Sequence, residues 1–147
     1  MDYPQHPIFA KRDEIVAQIE AEPGPIRKVY TDEPGNVTEL HMPYVEIEYS
    51  GDEPGQFECL GTDQGREAQF SARVVDMREA MAGNGTAGEG AMTARYWLER
   101  LLVHRFKAQL LDTVQDQDDT GRRPAYQTRV NFLVDMTYPL PAMPDIE

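Results

Sequence analysis

Cysteine is nearly absent. Cys59 is the only one in 147 residues, so no intrachain disulfide can form, and the usage points to a reducing compartment. Histidine is also sparse: His6, His41 and His104 lack the paired spacing of a zinc site and have only Cys59 to join them. No apolar run approaches the ~18 residues of a membrane-spanning helix, so no membrane partner is expected. The opening stretch MDYPQHPIFAKRDEI has no basic region followed by an apolar one, and no secretion signal is expected. The N-x-T matches at Asn36 and Asn84 are then chance. Positive charge is scarce as well, since 14 Lys and Arg stand against 26 Asp and Glu, a net charge of −12. A surface that grips nucleic acid neutralises phosphates with Lys and Arg. This balance fits a protein that avoids DNA, or one that DNA slides past without sticking.

What is present is an ordinary core-forming composition, 40% hydrophobic and 27% charged, in a length typical of one domain. The expected unit is a single domain over 1–147 with an extended C-terminal segment, 139–147. Residues 7–21 read as a helix: Pro7 suits a first helical position, and Ile8, Ile15, Val16 and Ile19 recur on one face. The EPGP run, 22–25, ends it. IRKVYT (26–31), VTELHM (37–42) and PYVEIEYS (43–50) read as strands, with DEPGN (32–36) as a turn. The acidic stretch 51–65 is expected to be a loop, and EAQFSARVVDMRE (67–79) a strand. A glycine-rich loop, 80–90, leads to a long amphipathic helix over 91–114, with Leu98, Leu102, Phe106 and Leu110 in an i, i+4 row. The polar stretch 115–125 is expected to be a loop.

The last strand is the most regular feature. From Tyr126 to Tyr138 the even positions are Tyr126, Thr128, Val130, Phe132, Val134, Met136 and Tyr138, and the odd ones are polar apart from Leu133. One face packs on a core and the other does not. The expected class is α+β: two amphipathic helices on one face of a mostly antiparallel sheet.

Chemistry-bearing patterns are few. GNGTAG, with Gly83, Gly85 and Gly88, matches G-x-G-x-x-G, but its strand turns polar before the motif and no ribose-binding acid follows at the right distance. It reads as a loop, and no cofactor is expected. DQDDTG, with Asp116, Asp118, Thr120 and Gly121, imitates half a calcium loop, but position twelve is Gln127 where a bidentate Glu belongs. Cys59 has no motif that would make it a nucleophile. Glu46 and Glu48 share a strand face, with Glu39 on the strand before. They could serve acid–base chemistry if one were buried, and otherwise form a negative surface.

The order of elements resembles one family. A helix is followed by a proline-broken VY strand, then by MPYVEIEYSGDE, a Pro-led strand running into an acidic loop. A long strand, an extended loop, a long helix and the closing TRVNFLVDMTYPLP complete the pattern. From Pro7 to about Pro141 this is similar to the tail-terminator (minor tail, tail-completion) proteins of long-tailed bacteriophages. The resemblance implies a virion subunit at the tail and neck, made in the host cytoplasm, that performs no chemistry. It would form a homohexameric ring, stop polymerisation of the tail tube protein and meet a head-side connector or neck protein, with a sheath protein as a further partner. DNA would pass through the lumen without specific contacts. The long 80–90 loop departs from the family pattern.

A thirteen-residue strand spans about 43 Å at ~3.3 Å per residue, more than so small a core needs. Val130, Phe132, Val134, Met136, Tyr138 and Leu140 are therefore candidate oligomer or neck contacts, since sheet edges accept partners. Glu39, Glu46 and Glu48 are the candidate acids facing a lumen. Six copies would multiply the −12 charge, so rings are expected to need salt or a template. The competing readings are a head-to-tail connector, a small binding module outside the virion, and a small enzyme using Glu46, Glu48 or Cys59.

Overall fold

The structure is a computed structural model in which residues 4–32, 42–54, 63–77, 89–118, 125–141 and 143 are described. Helix α1 (Pro7–Ala21) has Pro7 in its first turn and His6 as its N-cap, the Nδ1 accepting the Ile8 N–H at 3.1 Å. It ends where the chain turns extended at Glu22, ahead of two prolines that cannot continue the ladder. There follow β1 (Lys28–Tyr30), β2 (Tyr44–Pro54), β3 (Asp63–Met77), α2 (Glu89–Phe106), β4 (Gln109–Asp118) and β5 (Ala125–Pro139). The strands form one five-stranded sheet in the order β1-β2-β3-β5-β4. Only β1 with β2 is parallel; every other pairing is antiparallel. This is the expected α+β class.

Both helices pack on one face. Ile8, Ile15 and Ile19 of α1 and Ala94, Leu98, Leu101 and Leu102 of α2 share a single core with Val45, Ile47, Ala68, Phe70, Ala72, Val74, Val130, Phe132 and Val134. Alternation puts these strand residues on one side. Phe70 and Phe132 lie stacked at its centre, their centroids 5.8 Å apart.

Three expectations are corrected. The second helix stops at Phe106, and residues 109–114 belong to β4. Lys107 takes a left-handed φ of 53°, and the N–H groups of Lys107 and Ala108 turn back onto the carbonyls of Val103 and Leu102. That closes the helix and redirects the chain. Leu110 therefore continues the leucine row in sequence only; in space it pairs with Phe132 on the neighbouring strand. The two ends of the 51–65 stretch are strand, since β2 runs to Pro54 and β3 starts at Asp63, while residues 55–62 lie outside the described residues. Residues 115–118 extend β4, so Asp116 and Asp118 sit opposite Gln127 and Ala125 in a ladder, which is incompatible with a calcium loop. The 37–41 part of the expected strand, residues 78–88, Glu39, His41, Cys59, Thr120 and Gly121 lie outside the described residues.

The sheet is staggered. β3 and β5 pair over their whole length, from Asp63↔Pro139 to Met77↔Ala125. β1 covers β2 only at 44–46, and β4 covers β5 only from 125 to 133. Towards the β2–β3 turn the described sheet thus narrows to three strands, here termed the hairpin end.

Candidate functional site

The sheet face away from the helices is built from cross-strand rows. At one end Glu46 stands between Tyr30 and Arg73, with Arg129 beyond; the next row is Glu48, Ser71 and Asn131. Glu46 is buried, and its Oε2 accepts from Arg73 Nη2 at 2.5 Å, while Arg73 Nη1 donates to Gln127 Oε1 at 3.1 Å. Glu48 is exposed. Its carboxyl is pushed above the ordinary value, first by hydrogen bonding with Glu46, then by burial and the Glu46 charge, against the opposing pull of Arg129 and Arg73. Two acids adjacent on one strand face thus receive different surroundings, one neutralised by an arginine and one facing solvent.

Between Tyr49 and Gly51 the register shifts by one residue. The bulge, with Gly51 at φ 146°, reverses which side chains face which way. Simple alternation would place Asp52 beside Glu46 and Glu48. Instead Asp52 lies on the helix side, opposite Ala68, accepting from the Tyr49 hydroxyl at 2.5 Å and lying 3.5 Å from Arg66 Nε. The hydrogen bond to Asp52 pushes the Tyr49 phenol up to about 12. On the helix-free face the next rows are Gly51, Gln69 and Leu133, then Glu67 and Asp135. This last row sets two acids directly opposite one another on neighbouring strands.

Of the apolar residues expected to meet a neighbour, Val130, Phe132, Val134 and Tyr138 are buried within the chain's own fold, and Met136 packs partly against the core. The His6 ring lies edge-on to Tyr138, 4.9 Å away. β5 is an interior strand, not a free arm, and only 134–139 lack a described strand on one side. Among the described residues of this segment, Leu140, 48% exposed, and Met143, 83% exposed, are the apolar side chains left for a partner. Alternation in the sequence marked the buried face correctly but could not say that helices of the same chain would cover it.

The helix layer presents a second surface. On α2, Tyr96 is 65% exposed with the Arg100 guanidinium 5.9 Å from its ring centre, and Val103, His104 and Lys107 continue the outer side. Beside them Glu22, Pro23, Trp97, Arg100, Leu101, His104 and Arg105 line a groove of about 370 Å³. Arg105 Nε donates to Glu22 Oε1 at 2.8 Å. This bond holds the Glu22 carboxyl below its ordinary value and raises Arg105. Gly24 lets the Trp97 ring pack against the backbone, since a Cβ there would lie 2.2 Å from Trp97 Cε2. Sequence reasoning did not single out this surface, although Tyr96, Arg100 and Val103 share a helical face and Lys107 follows at the helix end. On the opposite flank Arg95 Nη1 donates to Thr128 Oγ1 at 2.8 Å, and Arg95 Nε lies 3.1 Å from Glu99.

Among the described residues no group of three or more His, Cys, Asp and Glu could hold a metal ion, and no helix is long and apolar enough to cross a membrane. No family model and no curated protein matches the chain. Among solved structures it is similar to a chain described as "Virion of native gene transfer agent (GTA) particle". The TM-score is 0.51 and the identity 12%, with 82% of this chain and 90% of that one covered. The likeness is one of fold.

Proposed function

We propose that this protein is a structural subunit of a phage-like virion that works by docking and performs no reaction. The observation that carries the reading is the fold shared with a chain of a gene transfer agent virion over 82% of the sequence. The finer reading, from the family resemblance, is a ring on the finished tail tube that ends tube growth and receives the head-side neck. A helix layer on one side of the sheet and, among the described residues, a helix-free face on the other offer two different surfaces, as a subunit in contact with copies and neighbours requires. The acidic balance of −12 suits DNA passage without adhesion. Glu48, exposed beside the neutralised Glu46, remains a candidate for the surface DNA passes.

The test is assembly. Light scattering on the protein, alone and with tail tube protein, is expected to give a multiple of 16.7 kDa, and negative-stain images are expected to show rings at tube ends. Binding to a head-side connector without any affinity for tubes would reassign the protein as an adaptor. A monomer indifferent to every tail component would overturn the reading.

A further inference from the structure

The outer side of α2 is a basic and aromatic strip on a protein that is otherwise strongly acidic. Tyr96, Arg100 and Val103 lie within about two turns of α2, and Lys107 follows just past its end; the Trp97 groove and Arg105 flank them. Tyr, Trp and Arg are the residue types that most often carry binding energy at protein interfaces. Val103 is 39% exposed and Tyr96 65%, so the strip also offers apolar area.

Its electrostatic complement lies on the opposite side of the sheet. Glu67 and Asp135 stand directly opposite one another on β3 and β5, and like charges so placed are destabilising. Among the described residues neither Glu67 nor Asp135 forms an ion pair, whereas the row of Glu46 contains Arg73 and Arg129. The row next to Glu67 and Asp135 holds Gln69 and Leu133, which puts an apolar side chain beside the two acids. The two surfaces also lie near the same end of the molecule. α2 ends at Phe106, and the chain passes at once into β4, whose first residue, Gln109, pairs with Leu133, two residues from Asp135.

We propose that the α2 strip of one copy docks on the Glu67–Asp135 surface of a second copy, helix layer against the exposed end of the opposite sheet face. Because two different patches meet, the contact is heterologous: each copy uses its strip on one neighbour and its acidic row on the other, giving a ring if the rotation closes and a filament if it does not. The inference rests on the self-assembling reading above and specifies which surfaces meet.

Two charge-reversed variants test it, R100E/K107E and E67K/D135K, all at surface or half-exposed positions. Each alone brings like charges together at every contact, and its self-association is expected to fall about tenfold or more. Mixed one to one, the reversed strip of the first variant meets the reversed row of the second, and the remaining contacts are those of the wild type. Assembly is expected to return with the variants alternating. Circular dichroism of each variant separates lost docking from lost folding. If a variant does not fold, the single changes R100E and D135K take its place. Wild-type rings that both variants still form, or an equimolar mixture that remains monomeric, would overturn the docking inference and leave the virion reading standing. A wild type that is monomeric with and without tube protein would overturn both.

Discussion

Replacing Arg73 by methionine isolates what the buried ion pair contributes on the sheet face away from the helices. The Glu46 side chain is 6% exposed and the Arg73 side chain 22%, with 2.5 Å between Nη2 and Oε2. Removing one partner of a buried pair costs about 3–5 kcal/mol, because a charge is left buried without its counter-ion. Arg73 is partly hydrated, so the lower end, about 3 kcal/mol, is expected. Glu48 adds to the loss, since it lies beside Glu46 and Arg73 is one of the charges that offset their repulsion. The assay is urea unfolding followed by Trp97, the only tryptophan, which packs over Gly24. With a slope of about 1.5 kcal/mol per molar, a loss of that size moves the midpoint down by about 2 M. The double variant R73M/E46Q leaves no buried charge and is expected to recover more than half of the loss, a coupling that neither single change contains. An R73M protein within about 0.5 kcal/mol of the wild type, or a double variant as unstable as the two single changes added together, would refute the argument.

Three further outcomes follow from the same geometry. Gly24→Ala drives a Cβ to 2.2 Å from a rigid indole and is expected to cost about 1–3 kcal/mol. In a Trp97→Leu background, read by circular dichroism, most of that cost should vanish; an equal cost in both backgrounds would show that the indole is not the obstacle. Glu48→Gln tests the raised carboxyl. Because the folded protein holds that proton more tightly than the unfolded chain, the group stabilises at low pH and the contribution is lost as pH rises through the folded value. The variant should therefore gain about 0.2–1 kcal/mol at pH 7, modest because the site is exposed. That gain should shrink as pH falls toward the ordinary 4.5, and a constant gain across the range would contradict the origin given for it. Truncation after Pro139 removes exposed Leu140 and Met143 while leaving buried Tyr138 in place. Rings should weaken while urea stability holds, and rings of undiminished strength would remove the C-terminal segment from the contact.

Much of the fold was legible because local chemistry and tertiary structure agreed. Pro7 and the EPGP run bracket α1 as printed in the chain, and the even positions of 126–138 form the buried face of β5. Disagreement arose where a local signal had two meanings. The leucine row through Leu110 has helical spacing, yet Lys107 in a left-handed conformation ends the helix three residues earlier, and nothing in a lysine announces that. The acidic composition of 51–65 suggests a loop, but residues 51–54 and 63–65 extend two strands whose partners stabilise them.

The candidate site was legible in its members and illegible in its arrangement. Glu46 and Glu48 share a face by period alone, and the sequence determined that, together with the charge balance, the core-forming positions and the α+β class. Tertiary structure decided that Arg73, 27 positions away in the chain, neutralises one of the two acids, and that helices of the same chain cover Val130, Phe132 and Val134. It also decided that a one-residue bulge sends Asp52 to the helix side and that Glu67 stands opposite Asp135. Periodicity is a property of one strand, whereas charge partners, coverage and register belong to pairs of strands, and only their hydrogen-bonded alignment fixes which side chains meet.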